Sequence, residues 1–263
     1  MEQDSKIGFW EQYVIACFRP SKYNELLKKK KNNFVVYLFI LILFLVFIES
    51  VIPFAAWNTS VGGLRNLFTE GLPAFSVADG QYHSEAPISF TINGVIRVRA
   101  DSGVEQFKKS DFDEKYAEEF LIGKTNALVK TPGGIQNISL SEFASLKLDN
   151  RSLAEAVPAI YSFLIFYLFL LLGIKAVQFL FTAFMFGLIC RSSVRTKDGK
   201  VVSMKESFYI ASYARTLFAI LASVNIALGY MFDSMMLVMI SAMLTIGFII
   251  RAEASVLQPD ALN

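Results

Sequence analysis

The sequence predicts a membrane protein of four transmembrane α-helices with a small α+β domain, mainly antiparallel sheet, inserted on the extracytoplasmic side. Three observations predict it: four long apolar runs, basic clusters at alternate ends of those runs, and a polar stretch with hairpin signals between the first two. Hydrophobic residues make up 54% of the 263 and 25 are phenylalanine, more than a soluble core uses, while the charged 18% is gathered in blocks between the apolar runs. The net charge of +2 leaves no electrostatic footprint for a nucleic-acid partner.

Residues 1–33 read as a cytoplasmic amphipathic lead. Within it Trp10, Tyr13, Val14 and Cys17 recur at helical spacing, as in a helix lying on the inner leaflet or one packed on the ends of the other helices. The apolar run 34–52 has about the length needed to cross a bilayer. The rival reading, a cleaved signal peptide, requires a shorter polar lead and a shorter apolar run. Residues 157–190 form a second run whose strongly polar members are Lys175 and Gln178; as one helix it would be about 50 Å long, and as two it would turn near Gly173. Residues 208–231 and 235–250 read as a helical hairpin joined at Phe232, Asp233 and Ser234.

Four spans place Lys28 to Lys31, the basic loop 191–207 with Arg191, Arg195, Lys197, Lys200 and Lys205, and Arg251 of the tail 251–263 on one side. By the positive-inside rule that side is the cytoplasm. Both termini then lie inside and residues 53–156 outside. A turn at Gly173 would move the basic loop to the wrong side.

Residues 53–156 carry thirteen acidic and ten basic side chains and no long apolar run, as in one water-facing domain. Ile88 to Ile92 and Ile96 to Arg99 alternate around Asn93-Gly94, a hairpin signal. A two-residue loop would place Arg97 and Arg99 beside Phe90. A three-residue connection pairs Ile92 with Ile96 and Phe90 with Val98, leaving the arginines on the opposite face, and is the expected register, with a bulge. Phe75 to Val77 turning through Asp79-Gly80, and Ala127 to Thr131 turning through Pro132-Gly133-Gly134, suggest two more hairpins. Ser110 to Phe120 and Ser141 to Leu146 have helical patterning, the second with Ser141 as N-cap.

The candidate intramembrane polar contacts are Glu49, Lys175, Gln178 and Asn225. Ionisable groups within a span are expensive and face a partner or a cavity. If Arg191 marks the inner interface, Lys175 lies level with Glu49 and pairs with it; if Pro158 marks the outer interface, Lys175 snorkels. Asn225, Ser241 and Thr245 read as hydrogen-bonding contacts between helices, and Arg215 as a headgroup anchor. Arg97 and Arg99 are the candidate ligand face of the outer domain, suited to an anion, or else the solvated side of an edge hairpin. His83, the only histidine, reads as a solvated strand residue. With two cysteines, Cys17 and Cys190, on the reducing side and no histidine near either, no disulfide, metal or other cofactor is expected. No nucleophile elbow, zinc, phosphate-loop or dinucleotide motif occurs, which ranks an enzyme below a binding protein.

Four segments carry a family resemblance: Phe18-Arg19-Pro20-Ser21-Lys22-Tyr23, then Leu72-Pro73-Ala74-Phe75 followed by Asp79-Gly80, then Ile96 to Gly103, then Ser207 to Leu217 entering the third span. In that order they resemble a bacterial, Gram-positive four-span membrane family of unknown function. Some of its members are labelled maltodextrin-utilisation proteins, and it is distantly similar to the Yip-type multispan proteins. The resemblance implies a bacterial cytoplasmic membrane location and a role beside carbohydrate uptake, and carries over no active residue. The expected function is that of a non-enzymatic accessory, sensor or scaffold whose outer domain binds a ligand or partner. Its partners would be the lipid bilayer and another membrane protein or complex, a sugar transporter among the candidates. A small transporter or channel subunit, and a lipid- or wall-active enzyme, are the alternatives.

Overall fold

The computed structural model describes residues 7–28, 31–92, 94–131, 133–195 and 198–257. Lys29, Lys30, Asn93, Pro132 and Lys197, invoked in the basic clusters and turns above, lie outside them. Among the described residues four helices are long and apolar enough to cross a membrane: Lys31–Ser60, Asn150–Cys190, Met204–Ala227 and Ser234–Leu257. They fit a membrane protein, and two small sheets complete a mostly helical chain.

The chain forms two compact units, a helical one (1–49, 168–226 and 230–263) and a strand-bearing one (50–167 with 227–229). In the helical unit, α1 (Phe9–Phe18) leads through a 3-10 turn (Pro20–Lys22) into α2 (Tyr23–Leu27). One face of α1 buries Gln12, Ile15, Ala16 and Cys17, while Trp10, Val14 and Phe18 face outward at i, i+4, i+8. The two readings of this segment are therefore divided between its faces, with Cys17 inside. The Phe18 to Tyr23 motif is a docking element. Pro20 and Tyr23 are buried, the Tyr23 hydroxyl donates to the Ala16 carbonyl at 2.5 Å, and the turn packs on the last helix.

Helix α3 (Lys31–Val46) continues through a π turn (Phe47–Val51) into α4 (Ile52–Ser60), so the first apolar helix runs beyond the expected 34–52. Proline 53 supplies no N–H for the Glu49 carbonyl, and its ring crowds that carbonyl. The widened turn accommodates this without ending the helix. At Ser60 the chain reverses over Gly62 and Gly63, both at positive φ (73° and 92°), into α5 (Leu64–Asn66) and a π turn (Leu67–Gly71).

Strand β1 (Phe75–Ala78) pairs with β2 (Gln81–Ser84) across a two-residue Asp79-Gly80 turn with both φ positive, and with β8 (Leu148–Asp149) on its other side. The second sheet has the order β3 (Ile88–Ile92), β4 (Ile96–Ala100), β5 (Glu118–Ile122), β6 (Asn126–Thr131), β7 (Gly134–Ser139). Ile92 faces Ile96 and Phe90 faces Val98, the register of the three-residue connection. β4 and β5 are parallel, the remaining ladders antiparallel. One face of this sheet packs Ile88, Phe90, Ala100 and Ile122 with Tyr82 and Leu140; the other packs Leu121 and Leu128 with Phe107.

Both helix expectations in this region are overturned. Residues 110–120 hold a 3-10 turn (Lys109–Asp111) and then β5, and 141–146 begin with a 3-10 turn (Leu140–Phe143) in which Ser141 caps nothing. Phe112, Tyr116 and Phe120 imitate a helical stripe by their i+4 spacing, but pairing of Phe120 with Val98 and Val129 prevails over local periodicity.

Helix α6 (Asn150–Cys190) is one uninterrupted element containing Pro158, which removes the two-segment alternative. Its start is fixed by Asp149 and Ser152, whose side chains each accept the other's backbone N–H (2.7 and 2.8 Å). α7 (Met204–Ala214) opens on a capping box between Ser203 and Glu206 and gives way at Arg215 to α8 (Thr216–Ala227). Ser212 donates back to Phe208 just before this break, a bond that bends helices. α9 (Ser234–Leu257) continues a further two turns past the expected end at residue 250.

Candidate functional site

Glu49 sits in the π turn that Pro53 imposes, and Lys175 and Gln178 lie on one face of α6 at i, i+3. Lys175 Nζ is 2.5 Å from Glu49 Oε2. The Ser223 hydroxyl of α8 lies 2.7 Å from Glu49 Oε1 and 2.9 Å from the Ala219 carbonyl, and donates to one or the other. Glu49 keeps 10% of its side chain exposed and Lys175 27%, so the pair is largely withdrawn from solvent. Removing charges from water costs several kcal/mol per ion, which this contact and the Ser223 hydroxyl offset.

The pair borders a cavity of about 210 Å³ lined also by Gln178, Thr182 and Arg215. Arg215 sits at the break between α7 and α8. It does not reach outward as the anchor expected of it: Nη1 donates to the Phe179 carbonyl at 3.0 Å, and the guanidinium lies 5.1 Å from the Phe179 ring centre and 5.8 Å from that of Phe186. Glu49, Lys175 and Gln178 are legible in the sequence as polar groups of the spans, whereas the places of Arg215 and Ser223 at the cavity are not. The break that turns Arg215 inward has a faint signal in the run Ser212, Arg215, Thr216.

Asn225 does not join this cavity. Its side chain donates to the Phe232 carbonyl (3.1 Å) and accepts from the Phe232 N–H (2.8 Å), bracing the connection between α8 and α9. A second polar contact lies where α6, α7 and α9 meet. Gly187 leaves room for the Ser207 backbone, which a Cβ would meet at 3.1 Å. The Ser207 hydroxyl lies 2.8 Å from the Gly187 carbonyl and 3.0 Å from Oε1 of the fully buried Glu253. Glu253 falls in the tail expected from residue 251 onward, because Arg251 resembles a helix end. Ile249, Ala252 and Val256, apolar at i, i+3, i+7, were the overlooked signal.

In the strand-bearing unit, Arg97 and Arg99 are not a free ligand face. β4 is interior to its sheet, and the segment leading to β5 covers the arginine side. Arg97 Nη1 is 3.4 Å from both Asp113 Oδ2 and the fully buried Glu119 Oε1, and its guanidinium lies 5.3 Å from the Tyr116 ring centre. Arg99 lies 5.1 Å from the Phe107 ring centre. Lys130 Nζ donates to the Asp113 carbonyl at 2.8 Å, so Arg97, Glu119 and Lys130 form one cross-strand charged row. His83 is exposed on β2. Among the described residues no cluster of histidine, cysteine or carboxylate side chains is arranged to hold a metal ion.

Asn150, the first residue of α6, ties down the Leu67–Gly71 π turn, the start of β1 and the chain between them. Its Oδ1 accepts from the Phe75 N–H (2.7 Å), and its Nδ2 donates to the Phe68 and Pro73 carbonyls (2.9 and 3.1 Å). Asn58 Oδ1 similarly accepts from the Leu64 N–H and the Tyr161 hydroxyl, both at 3.1 Å.

Burial pushes the Cys17 thiol from 9.0 up to about 11, and burial followed by the neighbouring Cys17 pushes Tyr13 up to about 12. Both groups pack in their neutral forms. Their contribution is fully present below the unfolded pKa values, 9.0 for the thiol and 10.0 for the phenol, and is lost as pH rises through the folded ones. The melting temperature is expected to fall between about pH 9 and pH 12, and Cys17→Ala to flatten the lower part of that fall. A pH titration of thermal unfolding checks it; a flat wild-type profile would refute it.

No curated protein and no solved structure matches the chain. A model of the family described as Protein of unknown function (DUF1189) matches residues 10–252. The match covers nearly all of both units, and the chain belongs to that family.

Proposed function

We propose that the chain is a non-enzymatic accessory or sensor protein of the bacterial cytoplasmic membrane, with four spans, both ends in the cytoplasm and residues 53–156 outside. One observation carries this reading. The chain passes between the strand-bearing unit and the helical unit inside two continuous helices, Lys31–Ser60 and Asn150–Cys190, and these helices are tied by the Glu49–Lys175 pair. A ligand or partner held by the strands thus has a covalent, helical route to a polar contact among the spans. The basic residues at 28–31, at 191–205 and at Arg251 support the orientation. The partner favoured by the family resemblance is a membrane complex, with a carbohydrate transporter as first candidate.

Two measurements test it. Single cysteines at exposed positions 114 and 195, in a background without Cys17 and Cys190, are expected to react with a membrane-impermeant maleimide in intact cells at the first site only. Affinity purification in mild detergent is expected to recover a second membrane protein; recovery of this chain alone, with unchanged sugar uptake on deletion, would remove the accessory reading.

The cavity beside Glu49 and Lys175 favours a second reading, a small transporter or channel subunit. Its volume of about 210 Å³ lies below the roughly 300 Å³ at which organic-ligand pockets begin, which disfavours a sugar path. Flux into liposomes that is unchanged by Lys175→Ala would eliminate it.

A further inference from the structure

The charged groups around the cavity of the helical unit do not balance. Glu49, Lys175 and Arg215 line it, giving a formal charge of +1. Glu49 is committed to Lys175 through one oxygen and approached by Ser223 at the other. Among the described residues no carboxylate pairs with Arg215; its hydrogen-bond acceptor is the Phe179 carbonyl, and two phenyl rings supply the rest of its surroundings. A carbonyl and ring faces solvate a guanidinium only in part, and an uncompensated cation between apolar helices is costly.

We propose that this cavity binds a phosphate-type oxyanion on Arg215, with Lys175 as the second donor. A guanidinium carries five N–H donors in a planar fork that matches two oxygens of a phosphate, and the Phe179 carbonyl occupies one of them. An ammonium carries three, of which Glu49 takes one. The volume, about 210 Å³, exceeds the ~30 Å³ share of a single water and is smaller than an organic-ligand pocket, so it admits one tetrahedral anion with a few waters. A singly charged form, dihydrogen phosphate or a lipid phosphodiester, neutralises the surplus charge and keeps the Glu49–Lys175 contact. The site stands whether or not the strand-bearing unit acts as a sensor.

Inorganic phosphate and the phosphate of an anionic lipid share this chemistry. The test uses the full chain in mild nonionic detergent and phosphate-free buffer, titrated with inorganic phosphate or with chloride at matched ionic strength, and followed by melting temperature and ³¹P line width. A parallel sample in phosphatidylglycerol nanodiscs is examined by native mass spectrometry for retained lipid. Saturable phosphate binding identifies the free anion; lipid retention without phosphate binding identifies the headgroup. In either arm Arg215→Gln is expected to weaken binding at least tenfold, and Arg151→Gln, at an exposed pair with Glu155, to leave it unchanged. If Arg215→Gln does not fold, Arg215→Lys, which keeps charge but not the fork, is expected to weaken binding several-fold. Absence of binding in both arms by the wild-type chain, or undiminished binding by the folded Arg215 variant, overturns the proposal.

Discussion

Lys175→Met is expected to destabilise the protein by about 3–5 kcal/mol, because it leaves the Glu49 carboxylate buried without its counter-charge. The methionine keeps most of the lysine stem's volume, so the loss reports charge and not packing. Glu49→Leu combined with Lys175→Met removes both ions and is expected to recover most of that loss, since a buried pair and a well-packed apolar replacement are of similar stability. Thermal unfolding of the wild type, Lys175→Met, Glu49→Leu and the double variant in one detergent measures the coupling. For a chain of this size the single variant is expected to melt roughly 10 °C lower. Equal, additive losses would show that the two side chains act independently.

Asn150→Ala is expected to cost about 3 kcal/mol, at about 1 kcal/mol for each of its three hydrogen bonds. The effect should be local. The Phe75 N–H loses its acceptor at the start of β1, and the Phe68 and Pro73 carbonyls lose the donor that fixes the chain leading into it. Hydrogen exchange at Phe75 and proteolysis between residues 68 and 75 are the readouts. Asn150→Asp separates the two roles: it keeps the acceptor for Phe75 and removes both donors, so Phe75 exchange should stay slow while the carbonyl side loosens. Unchanged protection in Asn150→Ala would show that β1 is held by its neighbouring strands alone.

The parts of this fold that were legible in the sequence are those set by short-range chemistry. The Ile92–Ile96 register follows from asking which loop length gathers apolar side chains on one face, and the β1–β2 turn from the tolerance of Asp79-Gly80 for positive φ. Lys175 and Glu49 stood out because charge in an apolar run is rare. What failed depended on residues far away in sequence. Residues 118–122 form a strand because β4 lies parallel beside them, a pairing reached through the long segment 101–117 that no local pattern announces. Arg97 looked like a ligand contact because Glu119 and Asp113 meet it only in the folded sheet. Pro53 looked like a boundary, yet a π turn carries the helix past it, and Arg251 resembled an ending although α9 continues with Glu253 facing inward. Arg215 resembles a headgroup anchor for the same reason: its inward turn depends on Phe179 of α6.

The docking of the Pro20 to Lys22 turn on α9 imposes an order on biosynthesis. The turn is made well before the α9 surface on which it rests, so that surface does not exist until translation has passed residue 257. At about 5–20 residues per second the lead waits on the order of 10–50 s after its own synthesis. Throughout that interval Tyr23 and Leu26 of α2, almost fully buried in the finished protein and packed on both α7 and α9, lack the α9 part of the surface that will cover them. Closure of the Pro20 to Lys22 turn onto α9 therefore marks completion of the helical unit, and a chain truncated before α9 would hold its lead by the α7 contacts alone.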